Sequence, residues 1–245
     1  MSYQLLNLEE VAAYLHLSPT DILQRVKYQE IPSERRGDRI MFSKGEIDDW
    51  ASQRILHLPE RRLAEYHQQS LQAVRQLSPA QAVLPALLQP DFIHLDLDAR
   101  TRASVLRELV RCAEATGRVN DPAGLLASVE AREALGATAM NGGWAVPHPR
   151  QSEPYLLEAS FLVVARTIQG IHFGAPDGEP TRWFFLLCCQ DGALHLFALA
   201  RLCFLFRQTD LLAELEAAPD AATICEALIA GEQGALQSAL PGNRG

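Results

Sequence analysis

Trp183-Phe184-Phe185-Leu186-Leu187-Cys188-Cys189 is an unbroken apolar run, and Ala159-Ser160-Phe161-Leu162-Val163-Val164 upstream has the same character. A strand with one wet face alternates apolar and polar residues, whereas continuous runs of this length read as central strands covered on both faces. The cover must come from helices, and segments of helical period surround the runs. Arg102 to Ala115 is one, and Asp121 to Leu135 is a second, opened by the acid-proline pair Asp121-Pro122. Ala193 to Phe206, Asp210 to Glu216 and Ala221 to Ile229 supply a long apolar helix and two short ones. Alternating elements around buried strands indicate an α/β sandwich.

Between the helices and the runs lies G-A-T-A-M-N-G-G-W-A-V-P-H-P-R, Gly136 to Arg150. Trp144-Ala145-Val146 reads as a short strand that Pro147 must end, because proline cannot donate to a sheet ladder. Prolines on both sides restrict the backbone of His148 and remove competing N–H donors, so its imidazole is expected on a stiff, open loop. That is how a protein displays a nucleophile. The same tripeptide also suits a loop histidine between two turn prolines.

The apolar fraction of 48% over 245 residues suits one large or two smaller packed domains. The net charge of −8 gives no general attraction to nucleic acid or an anionic membrane. Cys112, Cys188, Cys189, Cys203 and Cys225 form no C-x-x-C pair and read as buried thiols in a reducing compartment. The N-terminus lacks the regions of a signal peptide, and His195 and Arg201 interrupt the apolar run Leu194 to Phe206, so no membrane insertion and a cytoplasmic location are expected. His16, His57, His67 and His94 have no metal-ligand spacing, and His172 reads as an edge residue. Walker, G-x-G-x-x-G and G-x-S-x-G patterns do not occur, so neither metal nor cofactor is expected.

The first residues read differently. Leu8, Val11, Ala12 and Leu15 recur at helical spacing; Ser18 and Pro19 then open a second helix with Ile22, Val26 and Tyr28 on its apolar face. Gly37-Asp38 between Arg36 and Arg39 reads as a hairpin tip, and Ser43 as the cap of a third helix through Ile47 and Trp50. The order is helix, turn, helix, basic wing, helix. From Leu58 to Pro90, Leu63, Tyr66, Leu71, Val74 and Leu77 form a helical stripe ahead of a proline-rich hinge. The stripe suits either a spacer or a dimerisation helix, since DNA readers of this size usually act as dimers.

The stretch L-N-L-E-E-V-A-A-Y-L-H-L-S-P-T-D-I, with E-I-P and I-M-F-S-K-G-E-I-D-D-W, resembles the excisionase-type winged helix-turn-helix domain related to MerR regulators. That resemblance implies DNA binding, with Thr20, Asp21, Gln24 and Arg25 toward bases and Lys27, Arg35, Arg36 and Arg39 toward phosphates. Gln29 stands where that family commonly has glycine. The alternative is a domain kept for protein interaction. Residues 1–57 are expected to form this domain, 58–90 a helical linker, 91–235 the α/β domain and 236–245 a tail.

From about Phe92 to Glu232 the chain resembles the fructose-mannitol type of enzyme IIA of the phosphotransferase system, its nitrogen-regulatory branch above all. The resemblance rests on I-H-L-D-L-D-A-R-T-R, A-R-E-A-L-G-A-T, A-V-P-H, I-H-F-G-A-P-D-G-E-P and H-L-F-A-L-A-R-L, in that order. It implies a mixed sheet flanked by helices and a histidine that takes a phosphoryl group from an HPr-like phosphocarrier protein. The phosphoacceptor falls on His148, a second active-site histidine on His195, and the arginine of the R-E pair on Arg132. A neutral imidazole is a good nucleophile near pH 7 without a metal. His195 stands near the start of a helix announced by Asp191-Gly192, where free N–H groups favour phosphate, and a guanidinium suits an anion with several oxygens. A core histidine and an arginine paired to an acid are the alternatives for His195 and Arg132. Trp144, bulkier than the family's usual residue, is expected to narrow the entrance to the site.

The expected function is that of a regulatory phosphohistidine carrier, not a conventional enzyme, coupling phosphotransferase flux to DNA binding. An enzyme IIA that feeds a separate sugar permease, and a DNA-binding scaffold without phosphorylation, are the alternatives.

Overall fold

In the computed structural model, residues 4–74, 82–151 and 154–238 are described. Leu77 and Pro79 of the expected linker and the tail from residue 239 lie outside the described residues.

The first unit runs β1 (Leu5–Leu6), α1 (Leu8–Leu15), α2 (Pro19–Lys27), β2 (Glu34–Arg36), β3 (Arg39–Ser43) and α3 (Lys44–His57). Asn7 opens α1 with a reciprocal capping box: its side chain accepts from Glu10 N–H at 3.0 Å, and the Glu10 carboxylate accepts from Asn7 N–H at 2.8 Å. His16, at φ 53°, ends it. Ser18 caps α2 through Asp21 N–H, and Gly37 at φ 61° makes the tight turn of the β2–β3 hairpin. β1 adds to the other edge of β3. Val11, Leu15, Ile22, Phe42 and Ile47 are buried together beneath these elements. Tyr28, expected on the apolar face of α2, is 61% exposed. It stands at the C-cap, after which Gln29 takes φ 57°, so the chain turns away before the ring can reach the core. That left-handed backbone accounts for the glycine of related domains.

Leu58 and Pro59 separate α3 from α4 (Glu60–Val74), and α5 (Leu84–Leu87) follows. α4 is no free spacer. It lies along a long helix of the second unit, with Leu63 fully buried and the His67 ring stacked 4.3 Å from Phe204. Leu63 of the stripe is buried within the chain, and Tyr66 packs partly buried against the core.

The second unit continues β4 (Ile93–Leu97), α6 (Arg102–Ala115), α7 (Pro122–Ala134), β5 (Ala139–Met140), β6 (Trp144–Ala145), β7 (Phe161–Ile171), β8 (Thr181–Cys188), α8 (Gly192–Gln208), α9 (Leu211–Ala217) and α10 (Ala221–Ser238). α10 extends well past Ile229 and past the boundary expected at 235. Among the described residues the sheet has the order β4-β7-β8-β6-β5. β4 and β7 are parallel, β7 and β8 antiparallel, β8 and β6 parallel, and β6 and β5 antiparallel. The two apolar runs are therefore neighbours in a mixed sheet, Val163 opposite Leu186 and Ala165 opposite Phe184. Phe161 to Val164 and Trp183 to Cys189 are buried throughout, with α6 against β4 and β7, α8 against β8 and α10 against β4. Phe185 and Phe206 meet at 4.5 Å between sheet and α8, and Trp144 joins them 5.0 Å from Phe206. Fully burying a side chain of this kind contributes roughly 1.5–3 kcal/mol. Trp144, 1% exposed, thus belongs to the core instead of the entrance, because β6 is held inside the sheet by β8 and turns the indole onto α8.

A buried polar junction ties the last helix down. The Glu232 carboxylate of α10 accepts from Val83 and Leu84 N–H at the start of α5 and lies 3.7 Å from the Arg201 guanidinium of α8. Both side chains are fully buried.

Candidate active site

Three elements converge at the end of β6. The chain leaves the strand through Val146, whose N–H donates to the Thr138 carbonyl, and Pro147, whose carbonyl accepts from Leu187 N–H at 3.0 Å. His148 is thus fixed at the sheet end. Its Nδ1 lies 2.8 Å from the Val146 carbonyl and its Nε2 2.9 Å from Arg132 Nε. A carbonyl only accepts and a guanidinium only donates, so both contacts require the neutral ring with its proton on Nδ1 and a lone pair on Nε2.

Arg132 comes from the last turn of α7 and is 1% exposed. Its Nη1 also donates to the Gly136 carbonyl at 3.1 Å. The adjacent Glu133 accepts from Thr138 N–H and Oγ1 and pairs with Arg102 at 2.8 Å, which shapes the loop that leads into β5. His195 lies in the first turn of α8, which Asp191 caps by accepting from Leu194 N–H at 2.9 Å. The rings of His195 and His148 are 4.7 Å apart. Burial, then His195 and Arg132, hold His148 well below the ordinary histidine range, against the opposing pull of the Val146 carbonyl. Burial, with Arg132 and Lys44, lowers His195 to about 4. Both rings are neutral near pH 7.

The open loop expected for His148 is not what the structure has, since His148 is 1% exposed. The first unit lies against its neighbours His195, Arg150 and Gly192. α3 lies against α8, and Ser52 places its hydroxyl 3.3 Å from His195 Nε2. Asp49 accepts from Arg150 Nε and Nη2 at 3.0 and 2.9 Å. Asp48 accepts from Tyr14 at 2.5 Å and pairs with Lys44 at 2.8 Å. That trio sits on Gly192, where a Cβ would run into the Tyr14 hydroxyl and Lys44 Nζ. Sequence reasoning missed Ser52, Asp48, Asp49, Lys44, Tyr14 and Arg150. The only signal was the polar stripe Asp48, Asp49, Ser52 at helical spacing, which looks like any solvated helix face.

The residues expected to meet DNA lie on α2 and the wing. Thr20, Asp21, Gln24, Lys27, Arg35, Arg36 and Arg39 are exposed. Asp21 also binds the Ser18 cap, and Arg36 pairs with Glu34. Arg25 is turned inward, its side chain 18% exposed and 3.1 Å from Glu30, in a small pocket with Trp50 and Arg54. Among the described residues no cluster of three His, Cys, Asp or Glu is placed to hold a metal ion. Nor is any described helix long and apolar enough to cross a membrane.

The comparisons agree with this fold. The family described as "Phosphoenolpyruvate-dependent sugar phosphotransferase system, EIIA 2" matches residues 86–230, and a helix-turn-helix family matches residues 5–55. The chain is 37% identical over 145 residues to a nitrogen regulatory protein of Bradyrhizobium diazoefficiens, spanning 58% of this chain and 92% of that protein. It is 31% identical over 108 residues to a fructose-like EIIA component of Escherichia coli, spanning 44% and 71%. The crystal structure of the nitrogen regulatory protein IIA-Ntr from Neisseria meningitidis superposes with a TM-score of 0.53 at 26% identity, covering 58% of this chain and 97% of that one. IIA mannitol from Escherichia coli has the same fold, with a TM-score of 0.51 at 19% identity over 58% and 98% of the two chains. With the mixed sheet and the matched residues 86–230 in hand, this chain belongs to the EIIA type 2 family of the phosphotransferase system and carries a helix-turn-helix domain ahead of it.

Proposed function

We propose that His148 accepts a phosphoryl group from an HPr-like phosphocarrier protein and that its phosphorylation state governs DNA binding by the N-terminal domain. The observation that carries this reading is the pair of contacts on His148. The Val146 carbonyl holds the proton on Nδ1, and Nε2 keeps its lone pair beside a guanidinium. Attack by that lone pair on the phosphorus of the carrier's phosphohistidine forms one P–N bond as the donor's breaks, and the electrons of the broken bond return to the donor ring. His148 keeps its Nδ1 proton, and the Val146 carbonyl stabilises the positive charge the ring gains. Arg132 and the N-terminus of α8 beside His195 supply donors for the phosphoryl oxygens.

The exposed surface of α2 and the wing supports a DNA-reading role over a pure transport role, since Thr20 and Gln24 stay accessible while α3 faces the histidines. Residues 1–57 are proposed as the reader and the rest of the chain as the phosphoacceptor with its connecting helices. The test is incubation with phosphoenolpyruvate, enzyme I and phosphocarrier. Acid-labile phosphate on the wild type and none on His148→Ala is the expected result. Equal labelling of both would overturn the assignment.

A further inference from the structure

We infer that α3 of the N-terminal domain is the built-in occupant of the face a phosphocarrier must reach, so that carrier and domain compete for His148 and the phosphoryl group keeps the domain displaced. This rests on the phosphoacceptor reading of His148 and adds what regulates it.

Three observations carry the inference. The nucleophile has no route to a second protein: His148, His195 and Arg132 are 1%, 8% and 1% exposed, with Ser52 against His195 and the Tyr14–Asp48–Lys44 trio against Gly192. Transfer requires the donor phosphorus to reach Nε2, which the closed arrangement forbids. The cover is also charged in the wrong sense for the product. Phosphorylation adds about two negative charges at His148, and Asp48 and Asp49 both sit on the covering face of α3, Asp49 near enough to act on Arg132. Lys44 is the counter-charge there, but Asp48 already engages it.

Finally, the contact is built to open. Asp49 uses one oxygen for both Arg150 bonds, and its other oxygen is buried with no partner among the described residues. The joint behind α3 is only Leu58-Pro59. Arg207 holds the Leu58 carbonyl at 2.7 Å, and His67 on Phe204 holds α4. The domain ahead of Leu58 can therefore swing while α4 stays on α8.

The test uses the full chain, as wild type, Asp49→Arg and Ser52→Tyr. Asp49→Arg replaces the attraction to Arg150 by repulsion, and Ser52→Tyr wedges the face, so a folding failure of one leaves the other. Two readouts are taken: carbethoxylation of His148 by diethyl pyrocarbonate, resolved by mass spectrometry with exposed His172 as internal reference, and the rate of phosphoryl labelling by the carrier. Modification reports the open population, and the variants are expected to raise both rates by up to about fivefold, the change expected from losing an ion pair of this kind. Faster carbethoxylation without labelling of any form would keep the cover and overturn the phosphoacceptor reading. Wild-type His148 modified as fast as His172, or labelled at a rate neither variant changes, would overturn the cover.

Discussion

Arg132 Nε points at His148 Nε2 from 2.9 Å, a contact only a neutral ring can accept, so the proposed phosphoacceptor rests against the guanidinium proposed to bind its phosphoryl group. A protonated His148 would set one N–H against another. Ring-resolved NMR of the wild type is therefore expected to give the Nδ1–H tautomer with no titration around the ordinary pKa of about 6.5. In Arg132→Met the pKa should rise, since one of its lowering causes is gone, though burial and His195 still depress it. Phosphoryl acceptance should fall by about 10²-fold or more, the usual cost of losing a positioned donor. A wild-type proton on Nε2 would contradict the geometry.

Stability should depend on pH in a defined direction. Burial lowers His195 to about 4 and His67, with help from Arg201, to about 3, and it holds His148 well below its ordinary range. The unfolded chain takes up these protons near pH 6.5, the folded chain only well below it. Between the two the unfolded state binds more protons, so stability is complete above about pH 6.5 and falls as pH drops toward 4, at up to about 1.4 kcal/mol per pH unit for each group. Urea denaturation between pH 7.5 and 5 measures the slope. His67→Phe keeps the stack on Phe204 and should flatten it by one proton; an unchanged slope would mean His67 titrates normally.

Glu232 is the residue whose loss the fold should tolerate least. Its carboxylate serves Val83 N–H, Leu84 N–H and the buried Arg201 at once. Glu232→Ala removes the charge opposite Arg201 and is expected to cost about 3–5 kcal/mol. Thermal denaturation of this variant against an exposed control such as Glu226→Ala makes the comparison, and a loss no larger than the control's would refute it.

DNA binding, once a target duplex is found, should separate the two kinds of contact. Gln24→Ala should weaken a specific site more than random duplex, whereas Arg35→Ala and Arg39→Ala should weaken both and lower the salt slope by about one each. Arg25→Ala tests a third case. Because Arg25 packs beside Trp50 and Arg54 and pairs with Glu30, a lowered melting temperature alongside weaker binding is expected. Uniform losses across all four variants would argue against a reading helix.

Local sequence carried the fold a long way. Continuous apolar runs identified β7 and β8, Asp121-Pro122 and Ser18-Pro19 the starts of α7 and α2, and Asp191-Gly192 the start of α8. These signals act within a few residues of where they occur. His148, His195 and Arg132 were singled out because their motifs resemble a family's, and the structure brings all three together. The closure around the site was not legible, because Ser52 reaches His195 and Asp49 reaches Arg150 from about a hundred residues away or more, and a polar helix face reads the same facing water or facing a neighbour. Trp144 misled for a related reason: bulk near a site says nothing of which way the side chain turns.

The shortness of the Leu58-Pro59 joint has a quantitative consequence. A tethered cover returns to its site at an effective concentration fixed by the tether, in the millimolar range for short connections. Dilution of the protein leaves that value untouched. On the competition proposed above, a phosphocarrier would be measured against an internal standard, and the fraction of uncovered protein would track the carrier's absolute concentration and phosphorylation, whatever the number of copies of this chain.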